Sequence, residues 1–519
     1  MAALIPIEQY CEQLIKDDPT IQAEEMLRNL HMAGYGREES VLEVHNFFPL
    51  TVDEMCRIVV NEYNDPLIAK DALKDLLLKC GYDGSAVDAA ITSFYPRSLG
   101  YVLMLDDSNS MHNASAVIKI DAKAFLDCSR TEDQFGVNQF KKDAGWVYPV
   151  GDDPAPAVVT EGRDEIKAAE TEIDKLRTTG GWTNIAAAVS LGNAMEEKMD
   201  TDIKAYVLIS DGDHNTGSPT PASVLKDEPP IYIAGLGPCM KKSHFTDMLA
   251  KNEKSRFYNS PNAFDMMMVF NQILADSSQS LLLLNHLESC QGTNYSVQEF
   301  TISGKGNHSL VSVVWSDKKY RYTPGYPSGD QINLVLIDPD NRSTSIQPQI
   351  VDDGFCIYDL RNVKPGKWKI LSQYALADTV SATSGVLQTD MPILPEIVGA
   401  QSIKAGESPE FMLRIAGASL FSDLSATAVY SRPAVDHRSV LQAAHKDSLP
   451  ESGFGIQNSS LFPRMRSFAP LERCETDIFR GSMGICENPG IYNGYLTIKG
   501  AYKDGTSFVF HKMHSVIVE

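Results

Sequence analysis

Tyr101-Val102-Leu103-Met104-Leu105-Asp106-Asp107-Ser108-Asn109-Ser110-Met111 is the stretch that decides the fold. Five apolar residues running straight into an acidic, hydroxyl-rich loop are what a strand buried on both faces looks like when its carboxyl end carries a polar site. Asp106, Ser108 and Ser110 alternate, so a tight loop can aim one carboxylate and two hydroxyls at one point. Oxygen donors of this kind suit a small hard cation.

Outward from this stretch, residues 99–280 alternate strands with helices. Strands are expected at 101–105, 134–140, 146–150, 205–210 and 231–235, and helices at 114–128, 164–177, 184–198 and 263–275. Such alternation predicts a doubly wound, Rossmann-like α/β domain, assigned here to 98–285, with ligands at the carboxyl ends of its strands. The run 134–150 reads as a hairpin turning near Asp143 to Gly145, which supplies one antiparallel edge.

Two further segments belong beside the opening loop in that sheet. Gly180-Gly181-Trp182-Thr183-Asn184 precedes a helix, and Val207-Leu208-Ile209-Ser210-Asp211-Gly212 ends a buried strand. With them the chain resembles the von Willebrand factor A-type domain and its metal-ion-dependent adhesion site, whose pattern is D-x-S-x-S, then a Thr in a Gly-rich turn, then an Asp after a later strand. The matching positions are Asp106, Ser108, Ser110, Thr183 and Asp211. The resemblance implies a site for Mg²⁺, or Mn²⁺ or Ca²⁺, with Asp106 and Asp211 holding metal-bound waters or sharing the charge. Neutral hydroxyls from Ser108, Ser110 and Thr183 would coordinate without cancelling that charge, which leaves the cation able to accept a carboxylate from a protein partner. Simpler roles stay open: Ser110 or Asn113 as the cap of the helix from about 114, Thr183 as the cap of the next, and both aspartates as solvated loop residues. Trp182 is a candidate ligand contact or a packing residue, and Asp107 and Asp213 are additional acids near the site.

Residues 1–97 read as a helical domain with an internal repeat of 47 residues. Asp18-Pro19 matches Asp65-Pro66, Ile21 matches Ile68, Gly34-Tyr35 matches Gly81-Tyr82, and Phe47-Phe48-Pro49 matches Phe94-Tyr95-Pro96. Met26 and Leu30 align with Leu73 and Leu77, an i, i+4 pair on a helix that stops at the repeated Gly, so two helical hairpins packed on each other are expected. The segment reads as a packing module or a docking module.

Beyond residue 286 helical periodicity gives way to strands separated by turns such as Asp338-Pro339-Asp340-Asn341. A β-sandwich is expected over 286–395, a linker over 391–395, and a second, Ig-like β-sandwich over 396–519 that ends in a hairpin across Lys503-Asp504-Gly505. Residues 433–475 read as an irregular insertion. Ser312-Val313-Val314-Trp315-Ser316, Leu336-Ile337-Asp338-Pro339-Asp340 and Lys364-Pro365-Gly366-Lys367-Trp368 are similar to the sandwich region of the calcium-activated chloride channel regulators and the hemicentin-like proteins. Those regulators carry an H-E-x-x-H zinc protease, and no such motif occurs among the eleven histidines here, so proteolysis is not implied.

Composition bounds the partners. The 519 residues carry 68 acidic and 46 basic side chains, a formal charge of −22, which disfavours nucleic acid and anionic membranes as partners. No apolar run approaches the ~18 residues of a membrane span. The first residues lack a basic n-region and a continuous apolar run, so a cytoplasmic protein is expected, with export by a signal-less route as the alternative. Nine scattered cysteines without a C-x-x-C pair read as reduced thiols, although Cys474 and Cys486 lie close enough to bridge in an oxidising compartment. No phosphate-binding G-x-x-x-x-G-K-[ST] loop, no G-x-S-x-G elbow and no D-x-D spacing at Asp106-Asp107 is present. The expectation is therefore a non-catalytic, metal-dependent binding or adhesion protein. The alternatives are a regulatory or accessory subunit of an enzyme complex and a structural subunit of a surface or injection assembly.

Overall fold

The computed structural model describes residues 5–519 except 64–67, 69, 95–96, 179–180, 213, 238–242, 305–307, 362, 390–393, 417–420, 432–464, 476 and 504. The chain forms two compact units, Met1–Arg97 and Ser98–Glu519.

The first unit holds helices α1 (Ile7–Asp17), α2 (Ala23–Ala33), α3 (Arg37–Phe47), α4 (Val52–Glu62), α5 (Lys70–Lys79) and α6 (Gly84–Phe94). The repeating element is therefore three helices rather than a hairpin, because α1 and α4 precede the landmarks that make the repeat visible. Gly34 and Gly81 end α2 and α5 at φ 89° and 85°, a backbone region that glycine enters without penalty. Tyr35 then donates its N–H to the Leu30 carbonyl at 3.2 Å and Tyr82 to that of Leu77 at 3.4 Å, so the same cap closes both copies. Each tyrosine hydroxyl also donates to an earlier carbonyl, that of Ile5 or of Leu50, both at 2.9 Å. Met26, Leu30, Leu73 and Leu77 are fully buried in one core with Val44 and Val59. The parts of the repeat at Asp65-Pro66 and Tyr95-Pro96 lie outside the described residues.

The second unit opens with a mostly parallel sheet: β1 (Leu99–Asp106), β2 (Gln134–Phe140), β3 (Ala144–Tyr148), β4 (Ile203–Ser210), β5 (Ile231–Leu236) and β6 (Arg256–Ser260) in the order β3-β2-β1-β4-β5-β6. A two-residue strand, Ala157–Val158, also pairs with β2. β1 lies parallel between β2 and β4, β5 and β6 continue parallel, and β3 returns antiparallel. Every residue of β1 is buried. Tyr101, Leu103 and Leu105 enter one apolar cluster and Val102 and Met104 another on the opposite face, which explains the unbroken apolar run. Helices α7 (Ser115–Asp127), α8 (Asp164–Asp174), α9 (Ile185–Glu196) and α10 (Met266–Ser277) cover the sheet, with short helices at Pro221–Val224 and Ser243–Leu249. The hairpin strand expected at 146–150 ends at Tyr148, because Pro149 has no N–H to give to the ladder. The edge strand β6 was not anticipated.

The rest of the unit is mostly antiparallel, with parallel pairing only in two short stretches among the described residues. Leu281–Ile302 pairs along its length with Gly366–Thr389, and both belong to a twelve-stranded sheet. The apolar run Leu281 to Leu284 is the start of that long strand. Ser507–Val518 lies between Leu281–Ile302 and Gly490–Tyr502 in the same sheet. Strands from both sides of the expected 395/396 boundary therefore share one sheet, and residues from both sides share one core. A smaller four-stranded sheet contains Leu394–Gly399, Glu410–Ala416, Glu472–Arg473 and Ile478–Ser482. Most of the expected insertion at 433–475 lies outside the described residues; within it Met465–Pro470 forms a strand.

Helix α10 joins the two halves. Eleven of its twelve residues are buried, against the parallel sheet on one side and the antiparallel sheet on the other. Asn285 donates to the Met268 carbonyl at 3.0 Å, Met513 donates its N–H to Gln272 Oε1 at 2.6 Å, and Lys512 Nζ meets Asp276 Oδ1 at 2.6 Å. Asn271 approaches Gly385 so closely that a Cβ there would lie 2.4 Å from its amide nitrogen. Cys474 and Cys486 are both free thiols, so the expected alternative of a bridge between them is not formed. Among the described residues no helix is long and apolar enough to cross a membrane.

Candidate metal-binding site

β1 ends at Asp106, whose neighbour across β2 is Phe140; on the other side Leu105 pairs with Ile209 of β4. This register sets the carboxyl ends of β1 and β4 side by side, so the loops carrying Asp106 and Asp211 start from adjacent strands. Asp106 is 6% exposed. Its Oδ1 accepts the Ser108 N–H at 2.9 Å, the turn that lets the chain leave the strand, and its Oδ2 accepts the Ser210 hydroxyl at 2.6 Å. Ser210 Oγ in turn accepts the Gly212 N–H at 3.1 Å, so one hydroxyl ties the two acidic loops together. Ser108 and Ser110 hydroxyls lie 3.0 Å apart, Ser108 buried and Ser110 exposed on the 3₁₀ turn Asn109–Met111.

Thr183 is 2% exposed and is held on the other side by Asn215. The Thr183 N–H donates to Asn215 Oδ1 at 2.9 Å, and the Asn215 N–H donates to the Thr183 carbonyl at 3.1 Å. Neither simpler role for the hydroxyls is seen. Ala114, the N-cap of α7, has no side-chain cap bond, and α9 is capped by Asn184, whose Oδ1 accepts the Ala187 N–H at 3.1 Å. Asp106 is buried rather than solvated, and Asp211 is half-buried.

Burial pushes the Asp106 carboxyl up to about 6; hydrogen bonds from Ser210 and Ser108 oppose the rise, and the nearby Asp211 carboxylate adds to it. Among the described residues no Lys or Arg side chain forms an ion pair with Asp106 or Asp211. Asp107 differs: it is buried, its N–H donates to the Phe140 carbonyl at 2.9 Å, and its carboxylate faces Lys141 Nζ at 3.7 Å. Burial raises the Asp107 carboxyl and Lys141 opposes the rise. Asp213 lies outside the described residues. Trp182 is 55% exposed.

The donor set fits a divalent cation. Two carboxylates and three hydroxyls are hard oxygen donors, and a buried carboxylate beside a second acid lacks a counter-charge. Among the described residues no group of three or more His, Cys, Asp or Glu side chains is arranged around a metal position. Asp106, Ser108, Ser110, Thr183 and Asp211 are the residues that would hold the cation. When bound, it would supply a positive charge able to attract an anionic group. Sequence reasoning passed over Ser210, His214 and Asn215. Ser210 meets Asp106 only once β4 lies beside β1, and the other two carry no signal along the chain.

No family model matches the chain, and no curated protein matches it. Among solved structures it is similar to a von Willebrand factor type A protein from Catenulispora acidiphila, at 12% identity and a TM-score of 0.32, over 61% of this chain and 62% of that one. It is also similar to the Bacillus licheniformis lipase BlEst2 in propeptide form, at 12% identity and a TM-score of 0.25, over 55% of this chain and 60% of that one. A third is the human COPII-coat protein Sec24c, at 8% identity and a TM-score of 0.25, over 82% of this chain and 44% of that one. The chain thus spans less than two thirds of the first of these proteins, and likenesses of this size carry no argument about function.

Proposed function

We propose that this is a non-catalytic protein-binding molecule whose α/β domain uses a divalent cation to engage an acidic residue of a protein partner. The observation that carries this reading is the buried Asp106 carboxylate, set beside Asp211 and the hydroxyls of Ser108 and Ser110, with no Lys or Arg among the described residues in an ion pair with it. An oxygen-donor shell made partly of neutral hydroxyls leaves a bound Mg²⁺ or Mn²⁺ electrophilic, and such an ion keeps waters that a carboxylate can replace. Trp182 is exposed next to Thr183 and would contribute apolar contact area around the bound carboxylate. The sequence contains no G-x-x-x-x-G-K-[ST] loop and no G-x-S-x-G elbow.

Calorimetric titration of the full chain with Mn²⁺ tests the reading. One saturable site is expected, lost in Asp106→Ala and weakened in Thr183→Ala. An Asp106→Ala protein that binds Mn²⁺ like the wild type would sink the proposal.

A further inference from the structure

We propose that Asn215 and His214 are positioning residues that clamp the Thr183 loop to the Asp211 loop, so that both present their oxygens in a fixed arrangement before any ligand arrives. The inference rests on the cation-site reading above. It is carried by a polar network that ties the loop between α8 and α9 to the loops that follow β2 and β4.

Asn215 bonds twice to one residue. Its N–H donates to the Thr183 carbonyl at 3.1 Å and its Oδ1 accepts the Thr183 N–H at 2.9 Å, so it acts as one rung of an antiparallel ladder with a side chain supplying the acceptor. His214, its neighbour, accepts the Ile185 N–H on Nδ1 at 3.2 Å, which satisfies a donor that the first turn of α9 leaves without an intrahelical partner. That bond places the His214 proton on Nε2. The ring of His214 also meets that of His244 edge-on, with centroids 5.2 Å apart.

From the other side, Asn184 fastens the same loop to the end of β2. Its N–H donates to the Lys141 carbonyl at 2.6 Å and its amide Nδ2 to that of Lys142 at 3.1 Å. Gly217 completes the clamp. It sits at φ +94°, and a Cβ there would lie 2.7 Å from Asn184 Nδ2, so the Asp211 loop can close over Asn184 only with glycine at this point.

Packing does not explain these bonds. Asn215 is exposed, as is Gly217, and neither contributes to a core. An exposed asparagine that makes two bonds to the backbone of one buried threonine fixes that threonine and little else. Groups that orient the residues around a metal act in this way, and their loss weakens metal binding about 10–100-fold.

The test combines amide hydrogen exchange over residues 181–187 in the metal-free full chain, read by mass spectrometry, with Mn²⁺ titration. The variants are Asn215→Ala, His214→Ala and Asn215→Asp. Asn215→Ala is expected to speed exchange in this segment about tenfold or more, to shift the melting temperature by no more than about 2 °C, and to weaken Mn²⁺ binding about 10–100-fold. His214→Ala is expected to release the Ile185 amide. Asn215→Asp keeps the acceptor and restores protection. Unchanged exchange in Asn215→Ala overturns the clamp, as does protection lost evenly along the chain together with a large fall in melting temperature. Failure of the wild type to bind Mn²⁺ while exchange responds as expected would overturn the cation reading and leave the clamp standing. Mn²⁺ binding that depends on Asp106 but is indifferent to Asn215→Ala would do the reverse.

Discussion

Burial raises the free energy of the charged form of Asp106. Folding buries its carboxylate beside Asp211, and its ordinary pKa of 3.8 moves up to about 6, a displacement worth about 3 kcal/mol. Because the folded form holds the proton more tightly than the unfolded chain, the stabilising contribution is whole below pH 3.8 and is lost as the pH rises through about 6. At pH 7.5 the metal-free protein therefore carries a destabilising charge. Asp106→Asn removes that charge and keeps the shape, so it should raise the melting temperature of the metal-free protein while abolishing the further rise that Mn²⁺ gives the wild type. Scanning calorimetry with and without Mn²⁺ decides it, and a variant less stable than the metal-free wild type would contradict the account. At this scale the sequence was readable where the signal is local. Asp106, Ser108 and Ser110 alternate along one short loop. Ser210 was not readable as a partner of Asp106, because that bond exists only once β4 lies against β1.

Helices α7 and α8 show the same physics turned to packing. Between them and the strand Ile350–Asp352 lie Asp127, Glu170 and Asp352, with Lys123 bonded to Asp352 at 2.9 Å and Arg163 to Asp127 at 3.1 Å. Two cations do not satisfy every acid. Burial, and then the carboxylates of Asp127 and Asp352, hold Glu170 well above the ordinary glutamate range. Its contribution to stability is whole below the ordinary pKa near 4.5 and declines as the pH rises toward that raised value. Glu170→Gln should flatten this decline, so the variant and the wild type should diverge progressively in urea melts from acid to alkaline pH; parallel curves would rule the mechanism out. The elements themselves were largely visible beforehand, since α7, α8 and α9 fall within a few residues of the ranges expected for them. β6 was hidden because Arg256-Phe257-Tyr258-Asn259-Ser260 has too little apolar content to read as a buried strand, and its burial comes from β5 and from the C-terminal strands packed beside it. The first helix of each N-terminal repeat was hidden for a different reason: the matching residues lie in the turns after it.

In the unit Ser98–Glu519 the parallel and antiparallel halves do not have separate interiors. Leu103 of β1 shares an apolar cluster with Phe355, Leu387, Tyr495 and Met513. Asp276 and Lys512 form a 2.6 Å ion pair across the junction, 8% and 10% exposed. Losing one partner of such a pair costs about 3–5 kcal/mol, whereas replacing both with apolar groups costs far less. Lys512→Met and Asp276→Leu should each be strongly destabilising alone and much less so together, a coupling that a double-mutant cycle of denaturant melts measures directly. No local pattern in the sequence announces this arrangement. A boundary at 395/396 follows naturally from a proline-containing stretch, but sheet pairing over more than 200 residues of separation, as between His511 and Leu282, leaves no periodic trace.

The position of Ser507–Val518 inside the twelve-stranded sheet also sets a timetable for biosynthesis. β1 is among the first parts of its unit to leave the ribosome, yet Tyr495 and Met513, which help fill the cluster around Leu103, are among the last. The face that α10 presents to the antiparallel strands stays uncovered until Tyr495 and Met513 have been made. Contacts this distant in sequence form slowly and leave apolar surface open to chaperones in the meantime.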